Sequence, residues 1–567
     1  MNRRHASPLV TIAAEQPRSA APWLASALPL APIVGYAIFL SEYLFARPNP
    51  RWTLALLGWS IAAALLGVCL LRGRAAALAT AIDDRATVIV VGMVAVAAVV
   101  AIGINVLQAE HFAMGMRARD MAYYNQILWN TLHGRILVGN VNQDVLFRPP
   151  VSSDLALHVS PFLLVGVLPV YALAPHFLTL LIIRDVMMAA AAWPLFLLAR
   201  DRLSGLAGVV AVTLYFLTPA VMAQSFQEFT PLQLAPLPFF FALRAFVRQN
   251  LGAFVVWTVL AMSMREDVAI TMIGFGVWAT LSRRQPRWLL AAVGVPLAWW
   301  AASTLLVQPA FGRWGNNISE IALAGGAPAR WGIYQILAPT RLIDVLHDGG
   351  LHYLYRLLRS VTFVPVLSFE GALAAPVLGA NLFYSLMSRE GIDDISRLAL
   401  LPSCALVAAA VLVASRLGRT YRGDRHVFVV ILLLLMPSAN LVDGAKDAVQ
   451  AGLTTYTVHN DARALRRALD RIPAEASVAA PSYALPALAN RTRLFNLPQL
   501  HLYPEARADY ILVDHDVDRV TASPQLQPQY VALLKDLATS GRYQPVWREG
   551  DYALLRRVEY QPATLRD

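Results

Sequence analysis

Apolar runs long enough to cross a bilayer recur from residue 22 to residue 444, separated by short turns that carry arginine. A helix needs about 20 apolar residues to cross the hydrocarbon core, and no water-soluble core absorbs so many such runs in series. The charge count agrees: 15% of the 567 residues are charged and 57% are hydrophobic, where a soluble domain carries about a quarter charged. A cytosolic enzyme and a disordered chain are excluded at the outset. After residue 445 the composition becomes ordinary, which marks a small soluble domain at the end of a membrane body.

The net charge of +11 is distributed as a topology signal. Nearly all of it is arginine placed between apolar runs, as the positive-inside rule requires of cytoplasmic loops. A basic face with interleaved aromatics is missing, so no nucleic-acid partner is expected. Cys69 and Cys404 both lie within apolar runs, and neither a disulfide framework nor a zinc site can be built from them.

Thirteen spans follow from the pattern: Trp23–Phe45, Trp52–Leu71, Thr87–Leu107, Phe177–Ala199, Leu206–Gln224, Leu232–Val247, Leu251–Met264, Val268–Leu281, Trp288–Phe311, Tyr353–Leu367, Ala372–Met387, Leu398–Ser415 and Val427–Leu441. Short ones among them could merge, giving about 11–13. Arg72, Arg74 and Arg85 read as the loop between the second and third spans. With Arg3, Arg4 and Arg18 they put the N-terminus inside the cell and the tail outside, in an inner (plasma) membrane. The expected units are 1–108 (N-terminal spans), 109–175 (a first outer loop), 176–444 (membrane body) and 445–567 (an α/β domain). In the tail, ARALRRALDRI reads as a helix, ASVAAP as a strand and ALPALAN as a helix. RTRLFNL and ADYILVD read as strands, and QPVWREG–YALLRRV as a hairpin turning at Gly550-Asp551.

The loop from Ala109 to about Pro175 is too long for a plain connection, and long structured loops are usually functional. In RDMAYYNQILWNTLHGR the residues Met121, Tyr124, Ile127, Leu128 and Leu132 share one helical face. An amphipathic helix lying on the membrane surface fits that spacing. The proline-broken HVSPFLLVGVLPVYALAP reads as a juxtamembrane or re-entrant piece.

No phosphate loop, metal-ligand spacing, nucleophile elbow or dinucleotide fingerprint occurs. Polar residues at the outer ends of apolar spans remain: Arg119 and Asp120, Asp154 and His158, Glu228 in FQEFTP, and Arg265-Glu266-Asp267. Charge at such depth is costly and usually marks a pathway or a site. Each has a plainer explanation: Asp120 as a helix cap, His158 as a structural histidine, and the 265–267 cluster as an ion-pair staple.

Taken in order, RDMAYYNQILWNTLHGR, LALHVSPFLLVGVLPVYAL, QEFTPLQLAPLPFFFALRAF and MREDVAI resemble the bacterial membrane family called domain of unknown function 2079. Asp120, Asn125, Gln126, Trp129 and Asn130 match its first element. His158, Ser160 and Pro161 match its second, Glu228, Phe229 and Pro231 its third, and Glu266 with Asp267 its fourth. Thr230 stands where the family usually has histidine, Arg265 replaces lysine, and Asp393-Asp394 stand where a His-Tyr pair is usual.

That family is in turn similar to the GT-C class of membrane glycosyltransferases. The resemblance implies a polytopic α-helical, GT-C-like membrane protein with a small C-terminal extracytoplasmic α/β domain. Its partners would be membrane lipid and a polyprenyl-phosphate-linked sugar; no protein partner is named. Asp120 would be the general base. Arg119, Asn125, Gln126, Asp154, His158, Glu228, Arg265, Glu266 and Asp267 would line the substrate cavity, with Arg265 on the phosphate. No cofactor is expected, and the residues leave the use of a divalent metal open. The alternatives are a transporter or flippase of a lipid-linked or anionic solute, or a non-catalytic membrane protein of the same fold.

Overall fold

The computed structural model describes residues 74–112, 118–141, 152–156, 158–224, 226–311, 349–388, 397–420, 440, 461–497, 507–521 and 527–560. The expected spans Trp23–Phe45 and Trp52–Leu71, nearly all of Val427–Leu441, the stretch 312–348 after the expected span Trp288–Phe311, and Asp393-Asp394 lie outside these residues.

The helices of the body, in chain order, are α1 (Arg74–Glu110), α2 (Ala118–Leu132), α3 (Phe177–Ala190, continued by Ala192–Arg202), α4 (Gly205–Leu217), α5 (Pro236–Val247), α6 (Leu251–Met262), α7 (Val268–Leu281), α8 (Leu351–Ser360), α9 (Ala375–Ser388) and α10 (Leu400–Thr420). Between α7 and α8 runs a further helical stretch, 286–310. Among the described residues four helical segments are long and apolar enough to cross a membrane: Thr80–Glu110, Phe177–Arg202, Pro286–Ala310 and Arg397–Leu417.

Several expected spans take another form. Helices α6 and α7 hold 12 and 14 residues, about 18–21 Å against the roughly 30 Å of a hydrocarbon core, while α5 continues a 3-10 turn so that its helical segment runs Pro231–Val247. Tyr353–Leu367 is not one continuous helix: α8 ends at Ser360, and Thr362 and Phe363 take positive φ (47° and 57°). The proposed loop around Arg74 and Arg85 is the first part of α1, because RAAALATAIDDR is rich in good helix formers and free of Gly and Pro.

Burial separates the centre of the body from its rim. In the most apolar part of Arg397–Leu417, 94% of residues are buried, against 11% in Thr80–Glu110. The alanine-rich LVAAAVLVAS of α10 lets its neighbours approach closely, as small residues do between membrane helices. Val88, Val91, Val96, Val99 and Val100 of α1 are exposed, the surface a lipid-facing helix presents.

Charges gather at the two ends of the bundle. At one end Asp201 pairs with Arg244 and Arg248, Arg202 and Arg284 donate to the Val247 and Phe246 carbonyls, and Arg416 pairs with Glu370. At the other end α2, the acidic turns and the tail meet. The nineteen residue-to-residue steps from Arg397 to Arg416 span about 28 Å as a helix, close to a bilayer core.

The tail forms a five-stranded sheet of order β4-β3-β5-β7-β6. It comprises β3 (Val478–Ala480), β4 (Leu494–Asn496), β5 (Tyr510–Asp514), β6 (Tyr543–Glu549) and β7 (Tyr552–Arg557); β1 (Val138–Gly139) and β2 (Ser152–Ser153) form a small ribbon in the first loop. Strand β3 pairs in parallel with β4 and β5, and β7 runs antiparallel to β5 and β6. Every residue of β3 and β5 is buried, as fits central strands covered on both faces. The hairpin turns at Gly550, whose φ of 56° suits a residue without Cβ. Helix α11 (Ala462–Leu469) was expected; α12 (Gln527–Thr539) was not.

Helix α2 does not lie on lipid. Its apolar Met121, Ile127 and Leu128 are fully buried, and so are its polar Asn125, Gln126 and Asn130. Asn125 donates to Asn490 of the tail (2.8 Å), which in turn donates to the Pro175 carbonyl (2.8 Å). Gln126 donates to Asn140 (2.7 Å) and to the Arg491 carbonyl (3.1 Å). The helix is a plate between body and tail, and protein covers both of its faces.

One close approach gives a test of the packing. A Cβ on Gly274 of α7 would lie 2.0 Å from the Leu373 carbonyl oxygen, whereas one on Gly92 of α1 meets nothing within 4 Å. Gly274→Ala should therefore cost at least about 1–3 kcal/mol through overpacking against backbone. Gly92→Ala should be neutral or slightly stabilising through helix propensity. Melting temperatures and folded yields in detergent check this; equal behaviour of the two variants would refute the α7 contact.

Candidate active site

Asp120, Tyr123 and Tyr124 are three and four residues apart on α2 and so share a face. Asp120 meets Arg397, the first residue of the buried span, at 2.9 Å, and the same guanidinium nitrogen reaches Glu228 at 3.3 Å. Arg119 stands 3.9 Å from Asp120. The Arg397 side chain is 40% exposed while that of Glu228 is only 9% exposed. The arginine thus faces the opening and the glutamate lies behind it.

Backbone hydrogen bonds hold Glu228 in place. Arg184, wholly buried on α3, donates to the Gln227 carbonyl and, at 3.5 Å, to that of Glu228. Gln233 donates to the Glu228 carbonyl (2.9 Å) and accepts from the Thr230 N–H (2.9 Å). Arg184 is itself neutralised by Asp185 (2.8 Å), which accepts from Asn105 (2.7 Å). An unpaired charge at that depth would be prohibitive; a fully bonded pair is tolerated.

The loop after α2 supplies the next part of the wall. The ribbon of β1 (Val138–Gly139) and β2 (Ser152–Ser153) delivers Asp154 beneath α2, where its carboxylate accepts from the Tyr123 hydroxyl at 2.6 Å. A Cβ on Gly139 would lie 2.7 Å from Ile127, so the close approach of ribbon to helix requires glycine there. The His158 N–H donates to the Asp154 carbonyl (2.7 Å), which puts both side chains on one turn. His158 Nδ1 meets Glu266 at 3.1 Å, and the other Glu266 oxygen accepts from the Val159 N–H at 2.8 Å. Arg265 is clamped by both oxygens of Asp267 and is 6% exposed.

The structure thus brings together Arg119, Asp120, Asp154, His158, Glu228, Arg265, Glu266 and Asp267. It does not place Asn125 and Gln126 with them. They lie roughly 140° and 120° round α2 from Asp120 and are committed to the tail and the first loop. Arg265 is also unlike the sequence expectation of an arginine open to ligand, since Asp267 holds its guanidinium below the surface. The cation beside the opening is Arg397, which sequence reasoning passed over. An arginine at the outer end of an apolar span runs against the positive-inside rule, and that was the available signal. The Arg184-Asp185 pair inside an apolar run was another. For Tyr123 and Tyr124 the sequence carries no signal beyond helix spacing.

Electrostatics follow the burial. Burial pushes the Asp154 carboxyl up to about 6; Glu266 adds to the rise, while His158, the Tyr123 hydrogen bond and Arg265 oppose it. Burial also draws the His158 imidazole downward, but Glu266 outweighs it and the net shift is up. Tyr124, edge-on to Phe229 at 5.5 Å, is held well above the ordinary phenol value by burial and by Asp154. The wall can donate from two phenols and one imidazole, accept at several carboxylates and present one guanidinium to an anion.

A family model described as "Predicted membrane protein (DUF2079)" matches residues 110–554. No curated protein matches the chain. Among solved structures, ArnT from Cupriavidus metallidurans bound to undecaprenyl phosphate is 12% identical with a TM-score of 0.42, over 81% of this chain and 98% of that one. The same protein in the apo state gives 12% and 0.39, over 81% and 97%.

The Asp154 shift has a consequence for stability. Its folded pKa of about 6 exceeds the ordinary 3.8, so the folded state binds more protons between those values. Stability therefore falls as pH rises through that window, by up to about 3 kcal/mol. Asp154→Asn removes the dependence. Relative to the variant, the wild type should lose melting temperature from about pH 4 to pH 6 and stay offset above it. Parallel melting curves across that range would rule the assignment out.

Proposed function

For a chain that belongs to the DUF2079 family of membrane proteins, we propose a GT-C-like glycosyltransferase that moves a sugar from a polyprenyl-phosphate donor to an acceptor. The observation that carries the reading is Arg397, half-exposed at the end of an apolar helix and bridging Asp120 and Glu228. A lipid-linked phosphate keeps its tail in the bilayer and its anion at the interface, which is where a span-end guanidinium stands. Arginine binds phosphate through paired charge-assisted hydrogen bonds, so an arriving donor exchanges with a carboxylate on Arg397. Asp120 is released by that exchange and takes the proton of an acceptor hydroxyl as the new bond to the anomeric carbon forms.

In this reading Arg397 replaces Arg265 as the phosphate contact. Arg265, Asp267 and Glu266 shape the wall, and Arg119 adds positive potential beside the acceptor. The arginine-rich end of the bundle faces the cytoplasm by the positive-inside rule. The site and the tail then face outward from a bacterial inner (plasma) membrane.

Asp120→Asn should lower turnover of a polyprenyl-phosphate hexose by about 10²–10⁴-fold, the usual contribution of a positioned base, with lipid-phosphate affinity kept or raised, because a carboxylate competing for Arg397 is gone. Arg397→Gln should weaken that affinity by about 10–100-fold, as loss of a charged hydrogen bond does, while Arg265→Gln mainly lowers folded yield. Undiminished turnover in Asp120→Asn would overturn the base assignment. Substrate flux in proteoliposomes without a covalent product would replace the transferase by a flippase or transporter.

A further inference from the structure

Resting on the transferase reading, we infer that His158 is a catalytic acid, with Glu266 as its positioning residue, and that it protonates the phosphate as the sugar leaves. Both oxygens of Glu266 accept, one from the Val159 N–H and one from His158 Nδ1. A carboxylate that accepts at this edge of the ring requires the proton to be on Nδ1. The ring orientation is therefore set, and Nε2 is the edge left for chemistry. The His158 side chain is 36% exposed, four times the 9% of Glu266 behind it. Among the described residues nothing hydrogen-bonds Nε2.

The surrounding charges favour the imidazolium. Glu266, Asp267 and Arg265 face the ring from the turn between α6 and α7, and Asp154 faces it from its own turn. Burial opposes the charge and so does Arg265, yet Glu266 and Asp154 prevail. A protonated ring donates at Nε2 as well as Nδ1.

The leaving group supplies the need for an acid. A phosphate ester gains a second negative charge as the anomeric carbon–oxygen bond breaks, and the corresponding phosphate proton has a pKa of about 6. An imidazolium fixed by Glu266 with Nε2 free to donate can deliver that proton as the charge develops. The step balances as follows in atoms and electrons. The acceptor oxygen bonds to the anomeric carbon and its proton goes to Asp120. The broken carbon–oxygen pair stays on the phosphate oxygen, and the Nε2 proton moves onto the phosphate. Solvent then returns a proton to His158 Nε2 and takes the proton from Asp120, which restores the imidazolium and the carboxylate.

The test compares two donors on the full-length protein in detergent: a polyprenyl-phosphate hexose and the glycosyl fluoride of the same sugar, whose leaving group needs little protonation. His158→Asn should lose about 10²–10⁴-fold on the lipid donor and less than about tenfold on the fluoride. The alkaline limb of kcat, placed above the ordinary histidine value of about 6.5, should vanish in the variant. Equal losses on both donors, or no loss on either, would overturn the acid role. Histidine NMR gives a readout apart from turnover. Adding polyprenyl phosphate should raise the His158 pKa, and Glu266→Gln should lower it in the unliganded protein; no shift in either case would also overturn the inference. A wild type inert on the lipid donor that still shows both NMR shifts would fault the transferase reading alone.

Discussion

A guanidinium at the mouth of an apolar helix bundle has to be neutralised, and the way this chain neutralises Arg397 organises the end of the molecule around it. Asp120 arrives from α2 and Glu228 from the turn after α4, and both converge on one guanidinium nitrogen. Arg397 opens the most deeply buried span, whose far end places Arg416 against Glu370. One helix therefore carries an ion pair at each end, about a bilayer core apart. The buried Arg184-Asp185 pair acts at one remove, since Arg184 holds the backbone of the Glu228 turn.

Helix α2 transmits that arrangement to the tail. One face presents Asp120 and the tyrosines to the site, and the next presents Asn125 and Gln126 to Asn490 and the Arg491 carbonyl. Each buried amide is bonded, as burial demands, so the tail is held by polar contacts that depend on orientation. Any rotation of α2 that served the tail would move Asp120 away from Arg397. Site and tail are thereby tied to one rigid element, the condition under which catalytic groups keep a productive geometry.

Within the site the acidic groups differ by environment more than by type. Asp154 is fully buried and titrates near 6; Asp267 is locked on Arg265; Glu266 orients an imidazole; Asp120 shares a guanidinium with Glu228. Carboxylates whose surroundings separate their roles in this way are the pattern from which acid and base assignments are read.

Much of this was legible in the sequence. Apolar run length identified the membrane body, since backbone in lipid must satisfy its own hydrogen bonds and only long helices do so within one segment. Alternation and turn residues identified the strands of the tail, and the charged residues at span ends pointed to most of the side chains that the structure gathers around Arg397 and Glu266. What the sequence could not separate was which polar residue faces ligand and which faces protein. Asn125 and Asp120 are equally polar on the same helix, and only the docking of the tail puts one in a seam and the other at an opening. Arg265 and Arg397 are equally cationic, and only the neighbouring carboxylates decide that one is clamped and the other exposed. Periodicity and composition are local properties of the chain, whereas burial and charge pairing belong to surfaces that meet across hundreds of residues. Most elements were therefore determined by the sequence alone, and the partners of each charge by the tertiary structure.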